Sequence, residues 1–256
     1  MRLDDTALEG LPPDVQRPTY DRAGDRTASA ESASSRPTGT CGTGVQLVGR
    51  AEPYEVLTLR LLNAGHQALG YLGRLAGHRF VHEAVADPAL AAFYRAYADE
   101  VAPTLPAVAG VDVTAYRDEL VERFGNAAIG DSLGRICAYS SDRIPKFVLP
   151  AVQENLTAGR DVRFAAAVVA AWARYCEGSD EQGAPIELLD PRADELREAA
   201  RAERTEPLAF LAFLASQAQL ADFMDQRAFT EPYLATLRAL HTDGVRATLA
   251  ALTGSS

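Results

Sequence analysis

From Pro53 to about residue 252 the sequence offers one helix-forming segment after another, and no stretch alternates polar and apolar residues long enough to build a real sheet. YEVLTLRLLNAGHQALGYLGRLAG has no breaker before Gly65 and is apolar nearly all round, which predicts a helix buried on several sides. Pro53 suits its first turn, where a missing N–H costs nothing. DPALAAFYRAYADEVAPTL follows, with Asp87 as N-cap and Pro88 at the first helical position. VDVTAYRDELVERFGN starts near Asp112 and stops at Gly125–Asn126. SSDRIPKFVLPAVQENLTAG carries two prolines, so a kink or a late start near Pro145 is expected. VRFAAAVVAAWARYCEG, rich in alanine, reads as the central core helix. DPRADELREAARAE, PLAFLAFLASQAQLADF and EPYLATLRALHTDGVRATLAAL complete the set. The expectation is a mainly α domain over residues 44–256 with one or two stray strands, GVQLV at 44–48 among them.

Residues 1–43 differ in kind. Ser, Thr, Gly, Pro and charged residues dominate DRAGDRTASAESASSRPTGTCGTG, which cannot bury enough apolar surface to offset its ordering entropy. They read as a disordered low-complexity tail.

Composition excludes several classes of function. A net charge of −10 argues against nucleic acid as a partner, because phosphate binding needs a basic surface. No apolar run approaches the ~20 residues of a membrane span, and the first residues lack the pattern of a signal peptide. Cys41, Cys137 and Cys176 are widely spaced and belong to no Cys/His cluster. They read as reduced thiols of a cytoplasmic protein rather than a disulfide scaffold or zinc site. His78 and His82 stand four apart beside Glu83, yet the zincin order HExxH and a further ligand are missing, so no metal is expected.

One helix can carry chemistry. At about 100° per residue, Glu55, Thr58, Asn63 and His66 share an arc of about 140° on an otherwise apolar surface. Polar groups in such a place either find partners in a core or line a cavity that receives a polar ligand. Spacing alone favours the core.

The text of the chain adds to this. LRLLNAGHQALGYLGRLAG resembles the signature of the polyol-specific long-chain dehydrogenases, the mannitol dehydrogenase family. GVQLV…EPYE resembles that family's domain junction. HEAVADPAL, GVDVTAYRDELVERFGNAAIGDSLGRI, SDRIPKFVLPAV and VVAAWARYCEGSDEQG follow in the family's order, so the resemblance runs over residues 44–252. It implies a helical substrate domain like the C-terminal domain of 6-phosphogluconate and mannitol dehydrogenases. It implies oxidation of a secondary alcohol of a sugar alcohol to a ketose, with NAD or NADP as hydride acceptor held by a separate Rossmann-type domain. The family motif is a lysine, an asparagine five residues on, and a histidine three further. The lysine takes the hydroxyl proton, and the other two hold the developing alkoxide. The asparagine falls on Asn63, the histidine on His66, and a proton-relaying glutamate on Glu55. Arg135 and Arg143, eight residues apart, fall on a basic pair that grips substrate hydroxyls.

The chain departs from the family in three places. Thr58 stands at the lysine position, and a threonine hydroxyl has no accessible pKa near 7. The only lysine, Lys146, lies just beyond the arginine pair. Tyr139–Ser140 replaces a usual Asp-Gly step, where a tyrosine would narrow or reshape the pocket. Residues 1–43 stand where the resemblance sets a nucleotide-binding domain, and TGTCGTG has neither the preceding strand nor the following helix of a phosphate-binding turn.

Two readings follow. The first is the substrate domain of an NAD(P)-dependent mannitol 2-dehydrogenase, truncated and inactive unless a nucleotide-binding domain comes from another chain, with a small polyol or ketose as ligand. The second is a non-catalytic helical remnant or a polyol- or partner-binding module, prone to self-association through an apolar face left bare.

Overall fold

A computed structural model of the chain describes residues 52–108, 110–215 and 225–254. The tail expected at 1–43, the strand expected at 44–48 and the boundary between them lie outside these, as does Cys41. The described residues form helices joined by short connections and contain no strand, only two isolated bridges, Phe80 with Ser132 and Ser179 with Pro185. No described helix is long and apolar enough to cross a membrane.

The first long helix is not uniform. It runs as α1 (Glu52–Leu57), a π-helical segment (Thr58–Asn63) and α2 (Ala64–Leu75). The Ala64 N–H reaches back five residues to the Leu59 carbonyl, so this turn is wider than an α-turn. Contacts with three distant residues hold it. Arg60 donates to the Thr104 carbonyl (2.5 Å) and forks onto the Glu154 carboxylate (2.5 and 2.9 Å), while Tyr94 Oη lies 3.4 Å from the Leu61 carbonyl. An arc drawn at 100° per residue therefore does not hold across the segment.

The caps read from sequence are in place. Asp87 accepts from the Ala89 N–H at 2.9 Å and opens α4 (Pro88–Val101) after the short α3 (Val81–Ala86). Asp112 accepts from Thr114 and Ala115 and opens α5 (Val113–Phe124), which stops at Gly125. Each such cap contributes about 1 kcal/mol.

Two expected segments break in the middle. The proline-rich one divides into α7 (Ser140–Phe147) and α8 (Leu149–Thr157), after a short α6 (Leu133–Cys137). Pro145 sits inside α7 without ending it; the break falls at Val148, just before Pro150 in the first turn of α8. The last segment divides into α12 (Arg227–Thr242) and α13 (Gly244–Thr253) at Gly244, whose φ of 82° a helix cannot continue through. Between these lie α9 (Arg163–Cys176), α10 (Ala193–Ala202) and α11 (Ala209–Ala215).

α9 is the centre of the core: every residue but Arg163 and Arg174 is buried. Each large apolar side chain hidden here is worth about 1.5–3 kcal/mol. α9 packs most extensively against α12 and also against α2, α4 and α10. A Cβ built on Gly70 of α2 would lie 2.8 Å from Cys137 Sγ, so hydrogen at that position is what brings α6, and the arginines that follow it, up to the first helix.

Candidate active site

The chemistry gathers where α2 faces α5, α6 and α7. Asn63 closes the π segment and His66 follows in the first turn of α2. Arg135 sits on α6 and Arg143 on α7, and with Gln67 and Phe147 the four surround one lobe of a cavity, about 210 Å³. A second lobe of about 230 Å³ opens on the other side of His66, walled by Phe124, Asn126, Asp131 and, again, Arg135.

His66 lies against Phe124, ring centres 4.7 Å apart. Burial pushes its pKa down from 6.5 to about 4, the Asp131 carboxylate opposes this, and the guanidinium groups of Arg135, Arg123 and Arg143 add to it. The imidazole is neutral at pH 7, offering one N–H donor and one acceptor.

Arg135 is clamped by Asp131, its Nε at 2.7 Å from Oδ1 and an Nη on the second oxygen. Arg143 donates to the Ile136 carbonyl at 2.8 Å. Gln67, buried on α2, donates to the same carbonyl at 2.9 Å and accepts from Tyr71 Oη. The turn between the two arginines is fixed from elsewhere: Asp190 accepts from Ser140 Oγ (3.0 Å), Ser141 N–H (2.8 Å) and Ser141 Oγ (2.7 Å). A carboxylate about fifty residues downstream thus holds the first turn of α7, the helix that carries Arg143.

The other sequence candidates lie elsewhere. Glu55 is exposed on α1. The Thr58 hydroxyl turns back along its own helix and donates to the Tyr54 carbonyl at 2.9 Å, and neither residue lines either lobe. Lys146 pairs with Asp142 on the outer face of α7 at 2.6 Å, with more than half of each side chain exposed. Tyr139 does not narrow the pocket: it is 57% exposed, lines neither lobe, and holds a left-handed conformation (φ 55°) with its N–H on the Leu189 carbonyl.

His78 and His82 part company: His78 Nε2 stands 3.8 Å from Asp87, while His82 stacks on Phe80 and lines the second lobe. Among the described residues no three His, Cys, Asp or Glu side chains converge as a metal site. Cys137 and Cys176 are free and buried, and burial holds both thiols well above their ordinary pKa.

Sequence reasoning did not single out Gln67, Arg123, Asn126, Asp131 or Asp190. Gln67 could have been noticed, being a polar residue on a helical face that is otherwise apolar. The others carry no local signal, since only packing brings them to the site.

The helices thus bring an Asn–His pair at the end of a π-turn up to two arginines. Residues 50–240 match the family model described as Mannitol dehydrogenase C-terminal domain, and the chain belongs to that family. A mannitol 2-dehydrogenase of Phaeosphaeria nodorum is 38% identical over 211 residues, 81% of this chain and 36% of that protein. One from Aspergillus fumigatus is 42% identical over 168 residues, 64% of this chain and 34% of that one. The solved Pseudomonas fluorescens mannitol 2-dehydrogenase, a ternary complex with NAD and D-mannitol, superposes with a TM-score of 0.77 at 37% identity, covering 83% of this chain and 43% of that one. A substrate-free D-sorbitol dehydrogenase superposes with a TM-score of 0.73 at 28% identity, covering 80% and 42%. The chain thus spans about a third of the length of these curated relatives.

Proposed function

We propose that this domain is the substrate half of an NAD(P)-dependent mannitol 2-dehydrogenase, holding a polyol or its ketose in the lobe between Asn63, His66, Arg135 and Arg143. The observation that carries the reading is that these four residues, spread over eighty positions of sequence, meet around one lobe whose size suits a small polyol. The Asn63 amide and the neutral His66 ring each both donate and accept, which matches hydroxyl groups. The guanidinium groups near His66 favour negative charge on a substrate oxygen, so they stabilise an alkoxide as it forms.

Among the described residues that line this lobe, no lysine or carboxylate stands to take the proton. Thr58 occupies the position where the family resemblance sets a lysine, its hydroxyl is engaged with Tyr54, and Lys146 is paired on another face. Loss of a general base costs about 10²–10⁴-fold in rate. A nicotinamide cofactor, when bound, supplies the hydride acceptor. The described residues do not fit it, because a dinucleotide site uses a strand-to-helix turn at a parallel sheet and no strand is described. A nucleotide-binding domain outside these residues would have to supply it, and the choice between NAD and NADP rests with that domain. On this reading the domain alone binds substrate and does not turn it over.

The test is a calorimetric titration of the purified chain with D-mannitol and D-fructose, alongside nicotinamide absorbance with each cofactor. Saturable binding that disappears in Asn63→Ala, without turnover, is expected. Absence of binding by either sugar would overturn the substrate assignment, and turnover by the unaltered chain would overturn the assigned role of Thr58.

A further inference from the structure

Gln67 is buried, with 1% of its surface exposed, yet it stands in the wall of the lobe that Asn63, His66, Arg135 and Arg143 surround. Its amide can be oriented in only one way. The Ile136 carbonyl can only accept, so the Nε2 end of Gln67 faces it, at 2.9 Å. Oε1 then faces Tyr71, whose buried hydroxyl donates to it. Burial holds the Tyr71 pKa well above its ordinary value, so this donor keeps its proton. The Ile136 carbonyl has no lone pair to spare, because Arg143 donates to it as well, at 2.8 Å. A primary amide carries two N–H donors and two acceptor lone pairs. Among the described residues Gln67 uses one of each, which leaves one N–H and one lone pair. Buried polar groups are costly without partners, and the lobe is where a partner can stand. A hydroxyl both donates and accepts, so it satisfies the two remaining positions. A carbonyl oxygen satisfies one of them, and a CH₂ group neither.

We propose that Gln67 is a further substrate-contacting residue, whose fixed amide donates its second N–H to a substrate hydroxyl and accepts a hydroxyl proton in return. This rests on the polyol reading of the lobe and deepens it. On that reading Asn63 and His66 take the reacting oxygen, and Gln67 takes a hydroxyl of a carbon that does not react. The selectivity comes from the way the amide is held. Tyr71 on one end and the Ile136 carbonyl on the other prevent it from turning over to suit a different group. A chain with a hydroxyl at that place is therefore preferred to one with a carbonyl or only hydrogen there.

The experiment is a calorimetric titration of the whole chain with D-mannitol and with its symmetric dideoxy analogues, each lacking the hydroxyls of one matched pair of carbons. Their symmetry means that turning the ligand end for end restores nothing. Gln67→Met keeps the length of the side chain and removes its hydrogen bonds, but it strands the Tyr71 hydroxyl in the core and should lower the melting temperature. Gln67→Met combined with Tyr71→Phe removes both partners and should melt close to the wild type. In the wild type, the analogue lacking the hydroxyl that Gln67 contacts should bind at least about tenfold more weakly than mannitol. In the combined variant that difference should vanish, with mannitol falling to the affinity of the analogue, while the other analogues keep their differences from mannitol. A merely structural role would weaken mannitol and every analogue by the same factor, and that outcome overturns the proposal while leaving the polyol reading in place. Mannitol binding to the combined variant as tightly as to the wild type overturns it too. If no polyol binds the wild type, the polyol reading falls and the role of Gln67 falls with it.

Discussion

Gly65, in the first turn of α2 between Asn63 and His66, tests the packing beneath the site directly. A Cβ there would stand 2.5 Å from Tyr94 Cε2, well inside van der Waals contact. Tyr94 has no room to yield. It is fully buried and meets Phe124 edge-on at 5.5 Å between ring centres, and Phe124 in turn lies against His66. Two effects compete in Gly65→Ala. Alanine is the better helix former by about 1 kcal/mol. Overpacking a core costs about 1–3 kcal/mol, and a rigid, fully enclosed neighbour places this position in the upper part of that range. Net destabilisation of about 1–2 kcal/mol is expected, which lowers the melting temperature of a domain this size by about 2–8 °C.

Gly134 in α6 is the control. A Cβ there meets nothing within 4 Å, so Gly134→Ala gains helix propensity without the clash and should stabilise by up to about 1 kcal/mol. Urea denaturation and thermal melting of the two variants beside the wild type decide the matter. Because the displaced ring leads through Phe124 to His66, Gly65→Ala should also weaken mannitol binding, while Gly134→Ala should not. A Gly65→Ala chain as stable as Gly134→Ala would refute the reasoning, since the close approach would then not exist in solution.

Two further predictions concern stability alone. Burial raises the Glu100 pKa from 4.5 to about 7, although its carboxylate accepts from the Phe164 and Ala165 N–H groups at the start of α9, which opposes the shift. A folded-state pKa above the unfolded one means that the native chain holds the proton more tightly. This group's stabilising contribution is therefore full below about pH 4.5 and lost as pH rises through about 7. Partial solvent contact reduces the full linkage value, leaving about 2–3 kcal/mol. The stability of wild type relative to Glu100→Gln should fall by that amount between pH 4.5 and 8, and a constant difference across urea titrations at both ends would contradict it. Tyr139 holds φ 55° with its side chain largely exposed. Glycine relieves a left-handed penalty of about 1–2 kcal/mol at some entropic cost, so Tyr139→Gly should raise stability by about 0.5–1 kcal/mol. A lower urea midpoint in that variant would show that its ring contributes packing after all.

The helix starts at Asp87 and Asp112 and the stop at Gly125 were legible in the chain because capping is decided within three or four residues. So was the burial of α9, whose apolar residues surround the helix rather than lining one side. Asn63 and His66 were legible through a family signature, and their spacing alone would have left them as core residues. The π-turn at Thr58–Asn63 was not legible, because its stabilising partners, Glu154, the Thr104 carbonyl and Tyr94, come from distant elements. The break at Val148 fell away from the proline that drew attention, since Pro150 could take a first-turn position while Pro145 was tolerated inside α7.

What the sequence by itself determined was a helical domain of this family with one polar pair on its first long helix. What only the tertiary structure decided was the surroundings of that pair: a neutral His66 between two lobes, Arg135 tied to Asp131, Arg143 and Gln67 both donating to the Ile136 carbonyl, and Arg123 left without a partner among the described residues. The physical reason is reach. Helix propensity and capping act over one or two turns, whereas desolvation and the field of neighbouring charges depend on what packing brings within a few ångströms, and residues fifty or more positions apart supply it.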